Sequence, residues 1–112
     1  MLSFQKLDAY RCSIEFVTIA MEVAKGVPRG HAALRDQLRR AALSVPLNIA
    51  EGAGRTSEGD GARHFAIARG SAMECAAVLD VVRALGALEE ERYRQAIGLV
   101  SRVVAMLTKL CR

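Results

Sequence analysis

In Arg39-Arg40-Ala41-Ala42-Leu43-Ser44-Val45-Pro46-Leu47-Asn48-Ile49-Ala50-Glu51-Gly52-Ala53-Gly54-Arg55, two interleaved patterns share one segment. Leu34, Leu38, Ala42, Val45 and Ile49 recur every three or four residues, the period of one helix face. Ser44, Asn48, Glu51 and Arg55 form a second, polar file at the same period. Pro46 stands inside both. A proline there lacks the amide that would bond the carbonyl of Ala42, and its ring crowds that turn. The expectation is a second helix kinked at Pro46, around Ser44-Val45. Its polar file is either a solvated side or a face that locks against another helix.

Outward from this segment, the chain reads as helices separated by short breaks. Upstream, Ser3 is placed to cap a helix beginning near Phe4. Leu7, Tyr10, Ile14, Val17, Met21 and Ala24 follow a 3-4-3-4-3 spacing, the seam of a bundle helix. Phe16, Ile19, Ala20 and Val23 widen that apolar face, which predicts burial on more than one side. Gly26-Val27-Pro28 ends the helix, and the second helix is predicted from about His31 to Gly54. Downstream, Ser57 and Asp60 resemble a capping box for a third helix from about Gly59 to Leu85. Phe65, Ala68, Ala72, Cys75, Leu79 and Val82 line its inner side. Small residues at Ala66, Ala68, Gly70, Ser71, Ala72, Ala76 and Ala77 favour close approach of a neighbouring axis, so Gly70 is expected to face one. Gly86 closes the helix. Glu89-Glu90-Glu91 suits the positive end of a fourth, whose inner stripe is Tyr93, Ile97, Val100, Val104, Leu107 and Cys111. Lys109 and Arg112 suit its negative end.

Long helices joined by short connections run antiparallel. The fold class is therefore all-α, an up-down-up-down antiparallel four-helix bundle. The 112 residues fit one domain, 1–112, with enough chain to build a core without staples. No apolar run reaches the roughly 20 residues of a membrane span, so no membrane partner is expected. The N-terminus shows no secretory pattern, which places the expected location in the cytoplasm.

Chemistry-bearing residues are sparse. Cys12, Cys75 and Cys111 are far apart and odd in number, and His31 and His64 complete no zinc pattern. The cysteines read as small apolar residues, with no metal and no cofactor expected. Ser44, Asn48, Glu51, Arg55, Ser71, Glu74 and His64 could meet in a polar site, yet their spacings match no nucleophile elbow, phosphate loop or metal-binding pair. The reading is a non-enzymatic protein whose polar residues fix helix pairing.

The net charge is +4. By segment, residues 29–55 hold five basic and two acidic groups, and residues 87–112 hold five and three. The excess lies on the second and fourth helices. Arg35, Arg39 and Arg40 could neutralise phosphates. They could equally be solvated surface, with Asp36 pairing Arg40 one turn on. No aromatic stacking platform accompanies them.

The run RRAALSVPLNIAEGAGR, followed by FAIARGSAMEC, resembles the signature of the bacterial four-helix-bundle family known as 23S rRNA intervening-sequence proteins. LSFQKLDAYRCSIEFV is similar to that family's opening, in which Phe-x-x-Leu leads the first helix. The resemblance implies motif positions at Arg39, Arg40, Ser44, Pro46, Asn48, Glu51, Gly52, Gly54, Arg55, Phe65, Ala68, Gly70, Ser71 and Glu74. It also implies ring-like homopentamers of mostly unassigned role. A related branch of retroelement accessory proteins implies RNA or DNA, or a reverse transcriptase, as partner. One departure is Ser57-Glu58-Gly59-Asp60-Gly61, where family members carry a Lys-rich segment. Two function classes follow: an oligomeric module binding nucleic acid or a nucleic-acid enzyme, or an assembly scaffold binding another protein. The polar file is expected to lock on the third helix. Ser44 and Asn48 should lie near Gly70 and Ser71, with Arg40–Glu74 paired within a chain or Arg55–Glu74 between chains.

Overall fold

The protein is described here from a computed structural model covering residues 1–111. Arg112 lies outside them. Its helices are α1 (Asp8–Lys25), α2 (Ala32–Ala53), α3 (Glu58–Ala84) and α4 (Glu90–Leu110), with no strand among the described residues. α1 packs on α2 and α4, and α3 packs on α2 and α4, so that α1 lies diagonal to α3 and α2 diagonal to α4. The result is a four-helix all-α bundle 44 Å long. That length matches the roughly 40 Å expected of α3's 27 residues at about 1.5 Å each.

The ends follow local chemistry. Ser57 caps α3 by accepting from the Asp60 amide at 3.2 Å. At the other end Gly86 adopts φ +75°, and the amides of Ala87 and Gly86 bond the carbonyls of Val82 and Arg83. This pairing is a Schellman close, and the positive φ is what calls for glycine. Arg83 then clamps the corner: its guanidinium pairs with Glu90 and lies 4.1 Å over the Tyr93 ring, whose hydroxyl donates to Asp80. The N-terminus differs from expectation. Ser3–Lys6 is a short 3-10 turn, Leu7 is extended, and α1 begins only at Asp8. The Gln5 side chain accepts from the Leu2 amide at 2.7 Å, and Phe4 packs edge-on against Tyr10. These contacts hold the hook folded on α1 instead of extending it.

The core of α2 is the predicted stripe: Leu38, Ala42, Val45 and Ile49 are buried, with Leu34 at its margin. α3 contributes Ala68, Ala72, Cys75, Leu79 and Val82, and α4 contributes Val100 and Leu107, joined by Ala96 and Val103. Pro46 is buried, and α2 runs through it from Ala32 to Ala53. α1 follows the expected widening and departs from the expected seam, of which only Ala24 is buried. Its deep face is Ala9, Cys12, Phe16, Ile19, Ala20 and Val23, whereas Ile14 is 43% exposed and Leu7, Tyr10, Val17 and Met21 are only half-buried. Both stripes have helical period, but Phe16 is the bulkiest apolar side chain on the helix and removes most area from water when it faces inward.

The close approach between helices lies at a different glycine from the one expected. Gly70 is exposed, and a Cβ there would meet nothing within 4 Å. The contact is at Gly52 and Gly61. A Cβ on Gly52 would fall 2.7 Å from Phe65 Cε1 and 3.0 Å from the Gly61 carbonyl oxygen, and one on Gly61 would fall 2.9 Å from the Gly52 oxygen. Here the α2 and α3 backbones touch, just before and after the reversal at residues 54–57. Gly61→Ala should therefore destabilise by about 1–3 kcal/mol through overpacking. Gly70→Ala should stabilise by up to about 1 kcal/mol through helix propensity. Urea denaturation of both variants checks the contrast, and equal effects would refute the crossing.

Candidate functional site

The polar file of α2 meets α3 as a ladder along the groove between them. Gln37 Nε2 donates to Glu74 Oε2 at 3.1 Å. One helical stretch further on, Ser44 and Ser71 share a hydrogen bond of 2.8 Å. Asn48 Nδ2 donates to the Ser44 hydroxyl at 3.0 Å and to its carbonyl at 2.9 Å. This fixes the amide, so Asn48 Oδ1 faces His64 Nδ1 at 3.2 Å. Beyond it Glu51 Oε2 lies 3.4 Å from His64 Nε2 and accepts from Arg55 at 2.9 Å. The rungs are short because the helix backbones are close; two serines bridge only adjacent axes.

The ladder contains residues the sequence pairs differently. No Arg40–Glu74 pair is present among the described residues, and Glu74 is exposed, taking its hydrogen bond from Gln37. Arg40 borders the same groove as Ser44, Ser71 and Glu74 without an ion pair. Arg55 pairs one turn back along its own helix, where a four-residue spacing needs no partner helix. His64, outside the polar file of α2, is the buried member, 7% exposed. The sequence does hold a signal for it: His64 precedes Ser71 by seven residues, two turns along one α3 face.

The arginine patch runs along α2 and reaches the α3 groove at Arg40. Arg35 and Arg39 are half-buried and Arg40 is exposed. Among the described residues none of the three makes an ion pair, and Asp36 does not pair with Arg40. Asp36, Arg39 and Arg40 line a shallow surface hollow with Ala33. The α4 excess (Arg92, Arg94, Arg102 and Lys109) lies on the helix diagonal to α2, so the two basic regions occupy opposite corners.

The thiols are quiet. Burial pushes the Cys75 thiol up to about 12, with the Glu74 charge adding to it. Burial also raises Cys12, Arg102 opposing and Glu15 assisting. Thiols held up in this way are poor nucleophiles near neutral pH. No three His, Cys, Asp or Glu side chains cluster for a metal among the described residues.

If the ladder holds α2 on α3, its rungs should rank by burial. Asn48→Ala leaves a buried imidazole nitrogen without its partner and should cost about 1–3 kcal/mol. Ser71→Ala should cost about 1 kcal/mol. Glu74→Gln, at an exposed contact, should cost about 0.5 kcal/mol or less. Chemical denaturation gives the order directly; Glu74→Gln as the costliest change would overturn it.

The bundle geometry is shared. A crystal structure of a protein of unknown function from the S23 ribosomal protein family of Bacteroides thetaiotaomicron superposes with a TM-score of 0.86. That match covers 93% of this chain and 98% of the other, at 19% identity, which is a likeness of fold. Among curated proteins none is significantly similar. The sequence itself matches the family profile described as 23S rRNA-intervening sequence protein over residues 5–109. With the motif, the helix order and nearly the whole length in agreement, the chain belongs to the 23S rRNA-intervening sequence protein family.

Proposed function

We propose that this protein is a non-enzymatic, self-assembling bundle that offers the arginines of α2 to nucleic acid. The observation that carries the assembly is the outer surface of α2 and α3. Leu43 and Leu47 on α2 and Ile67, Met73 and Val81 on α3 are 41–64% exposed. Between them α3 presents Ala66, Gly70 and Ala77, also exposed. Met73 borders the groove to α4, beside Val100 and Val104, while Leu43 and Leu47 stand on α2; exposed apolar side chains of this size mark an interaction surface where they are contiguous. Small residues at Gly70 and Ala77 leave room for a partner's side chains. The number five rests on the family resemblance.

The nucleic-acid part rests on Arg35, Arg39 and Arg40, which are clustered and without ion pairs among the described residues. Unpaired guanidiniums are available to phosphate oxygens. In a ring, one such patch per subunit would repeat around the assembly and raise avidity without new contacts. The second reading, a scaffold that binds another protein, draws on the same exposed apolar surface and makes the arginines solvated surface. A nucleic-acid enzyme such as a reverse transcriptase belongs to this protein-partner reading.

Light scattering of the purified chain should give about five times 12.1 kDa, near 60 kDa. Leu47→Asp and Met73→Asp should lower the mass while helicity is retained. A 12.1 kDa species at micromolar concentration would refute assembly. Binding to RNA and duplex DNA, titrated with salt, separates the two readings. Replacing Arg35, Arg39 and Arg40 by Gln should weaken binding and reduce the logarithmic salt slope by about 2–3, near 0.9 per lost phosphate contact. Unchanged affinity and slope would leave the protein-scaffold reading.

A further inference from the structure

Between α3 and α4 the surface holds an apolar groove framed at each end by a cross-link. At one end Arg69 Nε donates to Thr108 Oγ1 at 2.8 Å. At the other the Tyr93 hydroxyl donates to Asp80 Oδ1 at 2.6 Å. Between them Met73, Ala76, Val100, Ser101 and Val104 line a hollow of about 240 Å³. That is smaller than the roughly 300–1,000 Å³ of small-molecule sites, and of these five residues only Ser101 has a polar side chain. Such a groove suits apolar side chains presented by another helix. Its ends carry opposite charge. Arg69, Met73, Ala76 and Asp80 follow a 4-3-4 spacing along one α3 face. Neither Arg69 nor Asp80 makes an ion pair among the described residues, and Asp80 Oδ2 has no hydrogen-bond partner there.

The outward face of α2 carries the complement. Arg40, Leu43, Leu47 and Glu51 follow a 3-4-4 spacing on one face, and Leu43 and Leu47 are 45% and 64% exposed. Arg40 has no ion pair among the described residues, and Glu51 meets Arg55 and His64 through Oε2 alone, leaving Oε1 open. Arg40 and Glu51 are eleven residues apart, as are Arg69 and Asp80, about 16 Å along each helix. We propose that the α3–α4 groove takes α2 of a second copy, running antiparallel to α3: Leu43 and Leu47 enter the hollow, Arg40 meets Asp80, and Glu51 meets Arg69. Turning α2 end for end would set Arg40 against Arg69 and Glu51 against Asp80, so charge selects one orientation. Within a chain α2 lies diagonal to α4, so no chain fills its own groove. Each copy gives α2 to one neighbour and its groove to the other, a head-to-tail contact of the kind that closes rings. This contact rests on the assembly reading above and deepens it. It assigns Arg40 to the interface and leaves Arg35 and Arg39 to a polyanion.

Charge reversal with rescue tests the contact, read as the concentration at which the assembly comes apart on dilution in light scattering. Arg40→Glu and Asp80→Arg should each raise that concentration at least about tenfold, because each sets like charges together. The double variant should return to within about threefold of the wild type, since the pair is restored with its signs exchanged. Asp80→Asn keeps an acceptor for the Tyr93 hydroxyl and should weaken assembly less than Asp80→Arg. Circular dichroism checks that each variant keeps its helices, and Arg40→Glu, at an exposed position, carries the test if Asp80→Arg does not fold. A monomeric wild type would remove the assembly reading and this contact together. An oligomeric wild type with single reversals that change nothing, or a double variant without recovery, would overturn this contact and leave assembly standing. Weakening by Asp80→Arg with none by Arg40→Glu would overturn α2 of a second copy as the occupant.

Discussion

At Gly52 and Gly61 the α2 and α3 backbones meet, with the Phe65 ring packed against Gly52. This contact sets the separation on which the rest of that half of the bundle depends. A larger residue at either position would push the axes apart, and the rungs upstream would open first. Ser44 and Ser71 span the groove only because each side chain is short and the helices are near. The reversal at residues 54–57 is correspondingly brief, and Ser57 begins α3 by capping it at once. One steric requirement thus fixes the turn, the register and the polar ladder together.

The ladder does not hold the helices by strength alone. Its outer members, Gln37–Glu74 and Arg55–Glu51, are exposed, where water competes and such contacts contribute little. The inner members, Ser44, Ser71, Asn48 and His64, matter through what sliding would undo. A one-turn slip would leave the buried imidazole facing apolar neighbours, and an unmade buried hydrogen bond costs more than a made one gains. The apolar stripe supplies most of the attraction between α2 and α3; the polar file selects one register from those the stripe would allow.

The parts of this architecture legible in the sequence are those governed by periodicity. The α2 and α3 stripes, the Ser57 cap and the Gly86 close follow from spacing and local backbone chemistry, whereas on α4 only Val100 and Leu107 of the expected stripe are fully buried. α1 defeats the same method because it is apolar on two sides: regular spacing picks Leu7, Tyr10, Ile14 and Val17, whereas volume puts Phe16 inside. The polar file on α2 is legible, but its partners are not. A spacing rule places Arg40 level with Glu74 without knowing that Gln37 lies closer, and it cannot tell that Arg55 is satisfied within its own turn. Gly70 and Gly52 look alike as letters. Only the crossing point distinguishes a glycine that needs space from one that has it.

The bundle resolves its apolar excess unevenly. α1 hides its larger stripe and leaves Ile14 out, while α2 and α3 leave Leu43, Leu47, Ile67, Met73 and Val81 at the surface. Those side chains stand on the two helices joined by the glycine contact and the ladder, with Met73 turned to the α4 groove. A rigid surface loses little conformational freedom on docking, so more of its buried area appears as affinity. The arginines of α2 flank this surface, whereas those of α4 sit on the diagonal helix. A chain that assembled through α2 and α3 would therefore leave the α4 charges on a different side. Its corners would then be electrostatically distinct, and a polyanion would approach the assembly from two separate faces with different salt dependence.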